Sequence, residues 1–528
     1  MLVYGDHSQP ADPRKRLSQL AERLALIAEM RAGLERHATL VALLVEAGQL
    51  LQGVADAGLP DEAALSAFVL HLSRNVIRSW DSGFAEIGAL PAVPTVAASE
   101  EVELRLPEGF AFYSVYPEAY IEAARRLQLS GPPRVIGIRS IGTTLGAVVA
   151  AALGASALVT VRPSGDAFAR QVQLPADVLE ENAHYVIVDE GPGQSGSSFG
   201  AVAEWLEARG VPLERIAFLP SHPGDPGPRA SEAHRRRWRS AQRVPAEFDT
   251  CWLVERFGAL EEFSTGSPFE RRKFLARPNG ETLLLKFAGL GATGERKLEM
   301  ARALHGAALA PEPLGLVHGF LVERWRDDAG PLAPCDNPVA EIARYIAARA
   351  RLFPAAPHDG APVARLHEMM RRNVSLGLGE DAVRALGAWE PRLDRLERRV
   401  RRVRTDNKLD RHEWLRVPGG ALLKTDALDH HQGHDLIGCQ DIAWDAAGAI
   451  AEFDLGTEDS NELIRMLARA GCAIDRELLS FCRVAYAAFR FGQASLAGEP
   501  AAERQASRLE RLLARGDCSA TPQESLVG

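Results

Sequence analysis

Two carboxylates stand side by side in the run VIVDEGPGQSGSSF, residues 186–199. Val186, Ile187 and Val188 predict a buried strand, and Asp189 and Glu190 come at its end. Gly193, Ser195, Gly196, Ser197 and Ser198 then form a loop of small residues. The following AVAEWLEARG predicts a helix with an apolar stripe on Val202, Trp205 and Leu206. A loop of this type turns backbone N–H groups and hydroxyls onto a phosphate, helped by the helix dipole. Carboxylates beside it can hold ribose hydroxyls or Mg²⁺.

A second set of chemistry-bearing residues lies further on. GETLLLKF places Lys286 on a strand, and Glu295 and Glu299 lie one turn apart on the helix that should follow. Asp406 stands in TDNKLDRHEW, with Asn407, Arg411 and Glu413 close behind, and Asp426 follows LLKT. A strand lysine can face nucleotide phosphates. A loop aspartate can orient a nucleophile, and a strand-end aspartate can hold Mg²⁺. Two further motifs carry less. Gly289, Gly291 and Gly294 spell GxGxxG, but position 314 is Leu where a dinucleotide site needs an acid. His430, His431 and His434 in DHHQGHD have the density of a zinc site, yet read better as part of a polar segment beside Asp426.

These residues need a scaffold, and 528 residues are too many for one core. Residues 13–80 predict helices, with a stripe on Leu17, Leu20, Leu24, Ile27 and Met30, and read as a packing or dimerisation layer. Residues 90–101 are rich in Pro and Ala and read as a linker. From 102 to 244 strands and helices alternate, which implies a parallel sheet with ligands at its carboxyl ends. Beyond 248 the pattern becomes a hairpin across Pro278-Asn279-Gly280, a helix, two short strands and then mostly helix, including a stripe on Leu393, Leu396, Val400 and Val403. The expected fold class is α/β, with a helical region at 1–95, a parallel-sheet domain at 96–247 and an α+β domain at 248–528.

A net charge of −9 argues against a nucleic-acid partner. Cys251, Cys335, Cys439, Cys472, Cys482 and Cys518 form no CxxC and read as reduced thiols of a cytoplasmic protein. The uncharged run 140–161 includes Ser156 and several glycines, and reads as a buried helix and strand rather than a membrane span.

The acidic pair and its loop resemble the phosphoribosyl-pyrophosphate (PRPP) signature of type I phosphoribosyltransferases, with a loop one residue longer. The resemblance covers about 110–219. It implies a pyrophosphate cradle at Arg139, Ser140, Gly142 and Thr143, and a catalytic hood carrying Arg162 and Arg170. It also implies PRPP as co-substrate with Mg²⁺ at Asp189 and Glu190, and a nitrogenous acceptor or a nucleotide as partner. The second set resembles kinases of the aminoglycoside phosphotransferase type. That implies ATP held by Lys286 and Glu299, Asp406 as the catalytic aspartate, metal at Asp426 and Glu413, and Asp445 as a structural helix cap. Arg411 stands where that family has Asn, and Glu413 or Asn407 is the expected replacement. The expected function is a phosphoribosyltransferase fused to a kinase-like ATP-binding domain. The alternative is a non-catalytic nucleotide- or PRPP-sensing protein.

Overall fold

The computed structural model describes residues 1–5, 8–97, 100–155, 157–264, 271–333, 336–433, 435–498 and 501–514. Ser156, Cys335, His434 and Cys518 lie outside them. Strand β1 (Ser8–Ala11) precedes three helices, α1 (Pro13–Glu29), α2 (Leu34–Asp56) and α3 (Glu62–Asp81), and pairs with β2 (Val102–Arg105). Short helices α4 (Glu108–Phe112) and α5 (Pro117–Arg125) lead to β3 (Pro133–Ile138). Then come α6 (Ile141–Ala152), β4 (Leu158–Val161), the hairpin β5 (Ser164–Asp166) and β6 (Ala169–Gln171), and β7 (His184–Val188). Helix α7 (Ser197–Glu207), β8 (Ile216–Leu219), α8 (Glu232–Ser240) and β9 (Gln242–Arg243) complete this part.

The five core strands are parallel in the order β4-β3-β7-β8-β9. The chain thus runs outward in both directions from the boundary between β3 and β7. A crevice at the carboxyl ends of two such strands is where open α/β sheets bind ligands. Helix α6 is apolar on every face, with residues 141–150 all buried, so it needs cover beyond the sheet. Helices α2 and α3 supply it, and Gly48 allows the approach: a Cβ there would lie 1.9 Å from Thr144 Oγ1. Helix α2 is also long and apolar enough to cross a membrane, and its apolar surface is spent on this packing.

After α9 (Cys251–Phe257) a second sheet begins. It comprises β10 (Leu260–Glu262), β11 (Lys273–Ala276), β12 (Leu283–Phe287), β13 (Pro313–Val317) and β14 (Phe320–Arg324), antiparallel in the order β10-β11-β12-β14-β13. Helix α10 (Ala292–Gly306) connects β12 to β13. The remainder is mostly helical, beginning with α11 (Val339–Leu352) and α12 (Val363–Leu378). One small sheet interrupts it, made of β15 (Gly330–Pro331), β16 (Trp414–Arg416) and β17 (Leu422–Lys424). The stripe from Leu393 to Val403 is not one helix: the helix stops at Glu397, and Val403 bridges to Pro354 and Gln440.

The three regions share packing. One hydrophobic core runs from Leu40 and Leu44 of α2 through Tyr116 and Tyr120 to Phe274, Phe287 and Phe320. At its centre Glu118 of α5 accepts hydrogen bonds through Oε1 from His37 Nε2 (2.6 Å) and His318 Nε2 (2.9 Å), all buried. The first residues depart from the helical region altogether. Leu436 N donates to Val3 O (2.8 Å), Leu2 pairs with Asn373, and Val3 is buried in the core of the C-terminal helices.

Candidate functional site

Between the antiparallel sheet and the helices beyond it, lysines and carboxylates converge. Lys286 is on the third strand of that sheet and is buried. Its Nζ lies 2.6 Å from Asp429 Oδ2 and also contacts Asp426. Lys297, one face of α10, reaches Asp429 Oδ1 at 2.5 Å. Burial works against the Lys286 ammonium, but Asp426 and Asp429 outweigh it and raise its pKa. Lys297 has weaker compensation, and burial lowers it to about 8 despite Asp429. Glu323, on the neighbouring β14, is raised to about 7 by burial, with Lys286 opposing. Glu413, Asp426 and His430 bring ligand atoms within 4.8 Å of one another. Carboxylate oxygens of this kind are hard ligands that suit Mg²⁺.

Asp406 is held from all sides, and its side chain has no exposed surface. The Tyr345 hydroxyl donates to Oδ2, and His430 Nδ1 lies 3.6 Å from Oδ1. Arg349, one turn after Tyr345 on α11, donates to the Tyr345 hydroxyl (2.8 Å) and to the carbonyls of Arg404 (2.6 Å) and Ala427 (2.7 Å). The loop is also gripped from behind. Asp445 accepts from the backbone N–H groups of Asp406 and Asn407, each at 2.9 Å. Burial would raise Asp406, but Lys424, His430 and Arg349 outweigh it and hold the carboxyl well below its usual range. His430 lies between the carboxylates of Asp406 and Asp426. Burial and Lys408 oppose its proton, but Asp406, Asp426 and Glu413 prevail, so its pKa is raised.

The second convergence is at the carboxyl ends of β3 and β7. Asp189 and Glu190 are half-buried, with Asp189 Oδ1 accepting from Glu190 N at 2.9 Å. Burial raises Asp189 to about 7, against Glu190 N–H and Arg162. Burial, Asp189 and Glu108 raise Glu190 to about 8. Two such carboxyls can bind a cation or accept hydrogen bonds from hydroxyls. Across the crevice Ser140 has φ 120° and ψ −107°, a region that non-glycine residues enter at a cost of about 1–3 kcal/mol. Strain of this kind concentrates at ligand sites. Gly193 and Gly196 both have positive φ and turn the loop into the N-terminus of α7.

The chain matches no protein-family model and no curated protein. Among solved structures it aligns with choline kinase LicA from Streptococcus pneumoniae at 16% identity and a TM-score of 0.37, covering 51% of this chain and 98% of that one. A choline/ethanolamine kinase family protein from Mesorhizobium loti aligns at 18% identity, TM-score 0.35, over 52% of this chain and 92% of that one. Aminoglycoside phosphotransferase APH(4)-Ia aligns at 14% identity, TM-score 0.34, over 51% and 98%. Overlaps of this size establish neither a shared fold nor a shared activity.

Several expected residues sit elsewhere. Glu299 is exposed on α10, because Lys297 takes the face turned to the cleft, and Glu295 pairs with Arg23 of α1 at 2.8 Å. Arg411 points away, donating to the carbonyls of Ala333 and Asp336. Asn407 is spent on Thr405 and Gly438, so it is not a metal ligand here. The helix cap is Asp441, whose side chain accepts from Ala443 N, while Asp445 serves the loop. His431 is buried, and no possible metal group among the described residues includes it.

In the parallel sheet, Gly142 and Thr143 are not loop residues: α6 begins at Ile141. A Cβ at Gly142 would lie 2.6 Å from Val188 O, and Thr143 is wholly buried, so both serve packing. Only Arg139 and Ser140 remain at the strand end. Arg139 and Arg162 come together there, but around Asp56 at the end of α2, which both contact. Arg170 bonds the Gly165 carbonyl of its own hairpin (2.8 Å). Ser195 and Ser197 are buried, and Ser197 Oγ donates to Ala167 O (2.9 Å) at the hairpin tip. The hairpin therefore packs against the loop. Asp56, Tyr345, Arg349, Lys424 and Asp429 escaped the sequence reading. Asp429 alone had a local signal, as the acid opening DHHQGHD.

Proposed function

We propose that the C-terminal half is an ATP- and Mg²⁺-dependent phosphotransferase site for a hydroxyl-bearing small molecule, and that the parallel sheet carries a PRPP-binding phosphoribosyltransferase site. The observation that carries the first is Lys286 on the third strand, joined to Asp426 beside Glu413 and Asp406. Lys286 would exchange Asp426 for nucleotide phosphates. Asp426 would hold Mg²⁺, which when bound neutralises phosphate charge, while Glu413 beside it is bound by Lys424. Asp406, kept ionised by Lys424 and oriented by Tyr345, would accept the hydroxyl proton once His430 leaves the gap between Asp406 and Asp426. The acidic pair at the β3–β7 crevice, opposite strained Ser140, supports the second site. There Asp189 and Glu190 would hold ribose hydroxyls or Mg²⁺, and the N-terminus of α7 would take the 5′-phosphate.

A second reading, binding without transfer, is favoured by the full enclosure of Asp406. Incubating the full chain with γ-labelled ATP, Mg²⁺ and a panel of amino alcohols, sugars and nucleosides separates the two. Transfer that falls at least 100-fold in Asp406→Asn, with ATP affinity kept, supports the phosphotransferase. ATP binding with no transfer to any acceptor supports the sensing role.

A further inference from the structure

Lys424 is the last residue of β17 and has no exposed surface. Its Nζ lies 2.5 Å from Glu413 Oε2, 2.6 Å from the Asp426 carbonyl oxygen and 3.5 Å from Asp406 Oδ2. An ammonium thus stands between the carboxylate of Asp406, assigned as base, and that of Glu413. Protein-kinase sites hold two Mg²⁺, one on the strand-end aspartate and one on a catalytic-loop asparagine. The second set is incomplete here. Arg411 occupies the asparagine's place in the sequence and is bonded to carbonyls outside the cleft. Asn407 donates to Gly438 O at 2.8 Å and accepts from Thr405.

Space and charge point the same way. A Mg²⁺ sits about 2.1 Å from its oxygens. Placed on the Glu413 oxygen that already binds Nζ, it would press a divalent charge against a buried ammonium, with little water to screen them. Asp426 is different: its side chain keeps 31% of its surface exposed, and its partner Lys286 is the residue assigned to phosphate. Both carboxylates carry a lysine, but the one on Asp426 is the residue assigned to phosphate, whereas the one on Glu413 is wholly enclosed.

We propose that Lys424 is a built-in replacement for the second metal ion, so that the nucleotide is held with a single divalent cation at Asp426. This rests on the phosphotransferase reading. Lys424 is then a positioning residue: it holds Asp406 and Glu413 in place whatever the Mg²⁺ concentration. Activity should follow free Mg²⁺ along one saturating phase, with no second activating or inhibitory phase.

The test counts ions on the full chain. With protein in excess over a non-hydrolysable ATP analogue, bound Mn²⁺ is measured from the loss of the free-ion EPR signal. The wild type should bind one Mn²⁺ per nucleotide, and Lys424→Arg should also bind one. Lys424→Ser, which opens the space and removes the charge, should bind two. Two ions in the wild type, or one in a folded Lys424→Ser, overturns the proposal while leaving the nucleotide site intact. If Lys424→Ser does not fold, Lys424→Gln, neutral and shorter, takes its place with the same two outcomes. Failure of the wild type to bind the analogue at any Mn²⁺ concentration overturns the phosphotransferase reading, and this proposal with it.

Discussion

Replacing Glu190 by Gln should make the protein more stable at high pH and weaken the proposed PRPP site. Burial, Asp189 and Glu108 raise the Glu190 carboxyl from 4.5 to about 8. The folded chain therefore keeps a proton there that the unfolded chain gives up near 4.5. Between those values the folded state binds more protons, so wild-type stability falls as pH rises, and the loss is complete above about 8. At 1.36 kcal/mol per pH unit the ceiling is about 5 kcal/mol. Glu190 keeps some solvent contact, so about 2 kcal/mol is the better scale. Gln carries no charge and escapes the penalty. Urea unfolding followed at the parallel-sheet transition should show Glu190→Gln close to wild type at pH 5 and about 2 kcal/mol more stable at pH 9. Mg²⁺ added at pH 9 should stabilise the wild type and not the double variant Asp189→Asn/Glu190→Gln, which should also lose PRPP binding. A Glu190→Gln protein less stable than wild type at pH 9 would refute the reasoning, because the carboxylate would then have a cation partner in the fold.

Other variants test other joints. Asp445→Asn removes a charged acceptor from the N–H groups of Asp406 and Asn407. It should lower kcat at least tenfold and change ATP affinity less than threefold, as steady-state kinetics would show. Glu118→Gln replaces the charged acceptor shared by His37 and His318 with a neutral one and should cost about 1.5–3 kcal/mol, read as a lower unfolding midpoint in urea. Deleting residues 1–5 strips Val3 from the C-terminal core and should cost about 1.5–3 kcal/mol, read from calorimetric melting of that transition.

The elements were legible where pattern and period were strong. The β-branched run before Asp189, the apolar stripe of α7 and the lysine strand β12 all fall where the sequence puts them. Ile141 to Thr144 look like loop residues locally, whereas burial on all sides makes them the first turn of α6. The helix predicted through Val403 ends early because that segment must pass under Gln440 to deliver Asp406. Residues that act across long separations left no local mark. Asp56 meets Arg162 across 106 positions, and Lys286 meets Asp426 across 140. Glu118, flanked by apolar residues on a short helix, gave no sign of meeting two histidines from two other regions.

The central claim is that Lys286 and Asp426 form the nucleotide-phosphate and metal ends of one site. Titration calorimetry of the full chain with ATP and Mg²⁺ tests it directly. One nucleotide should bind per chain. Lys286→Ala and Asp426→Asn should each weaken binding at least tenfold, and Glu190→Gln should leave it unchanged. Wild-type ATP affinity in both Lys286→Ala and Asp426→Asn would contradict the claim.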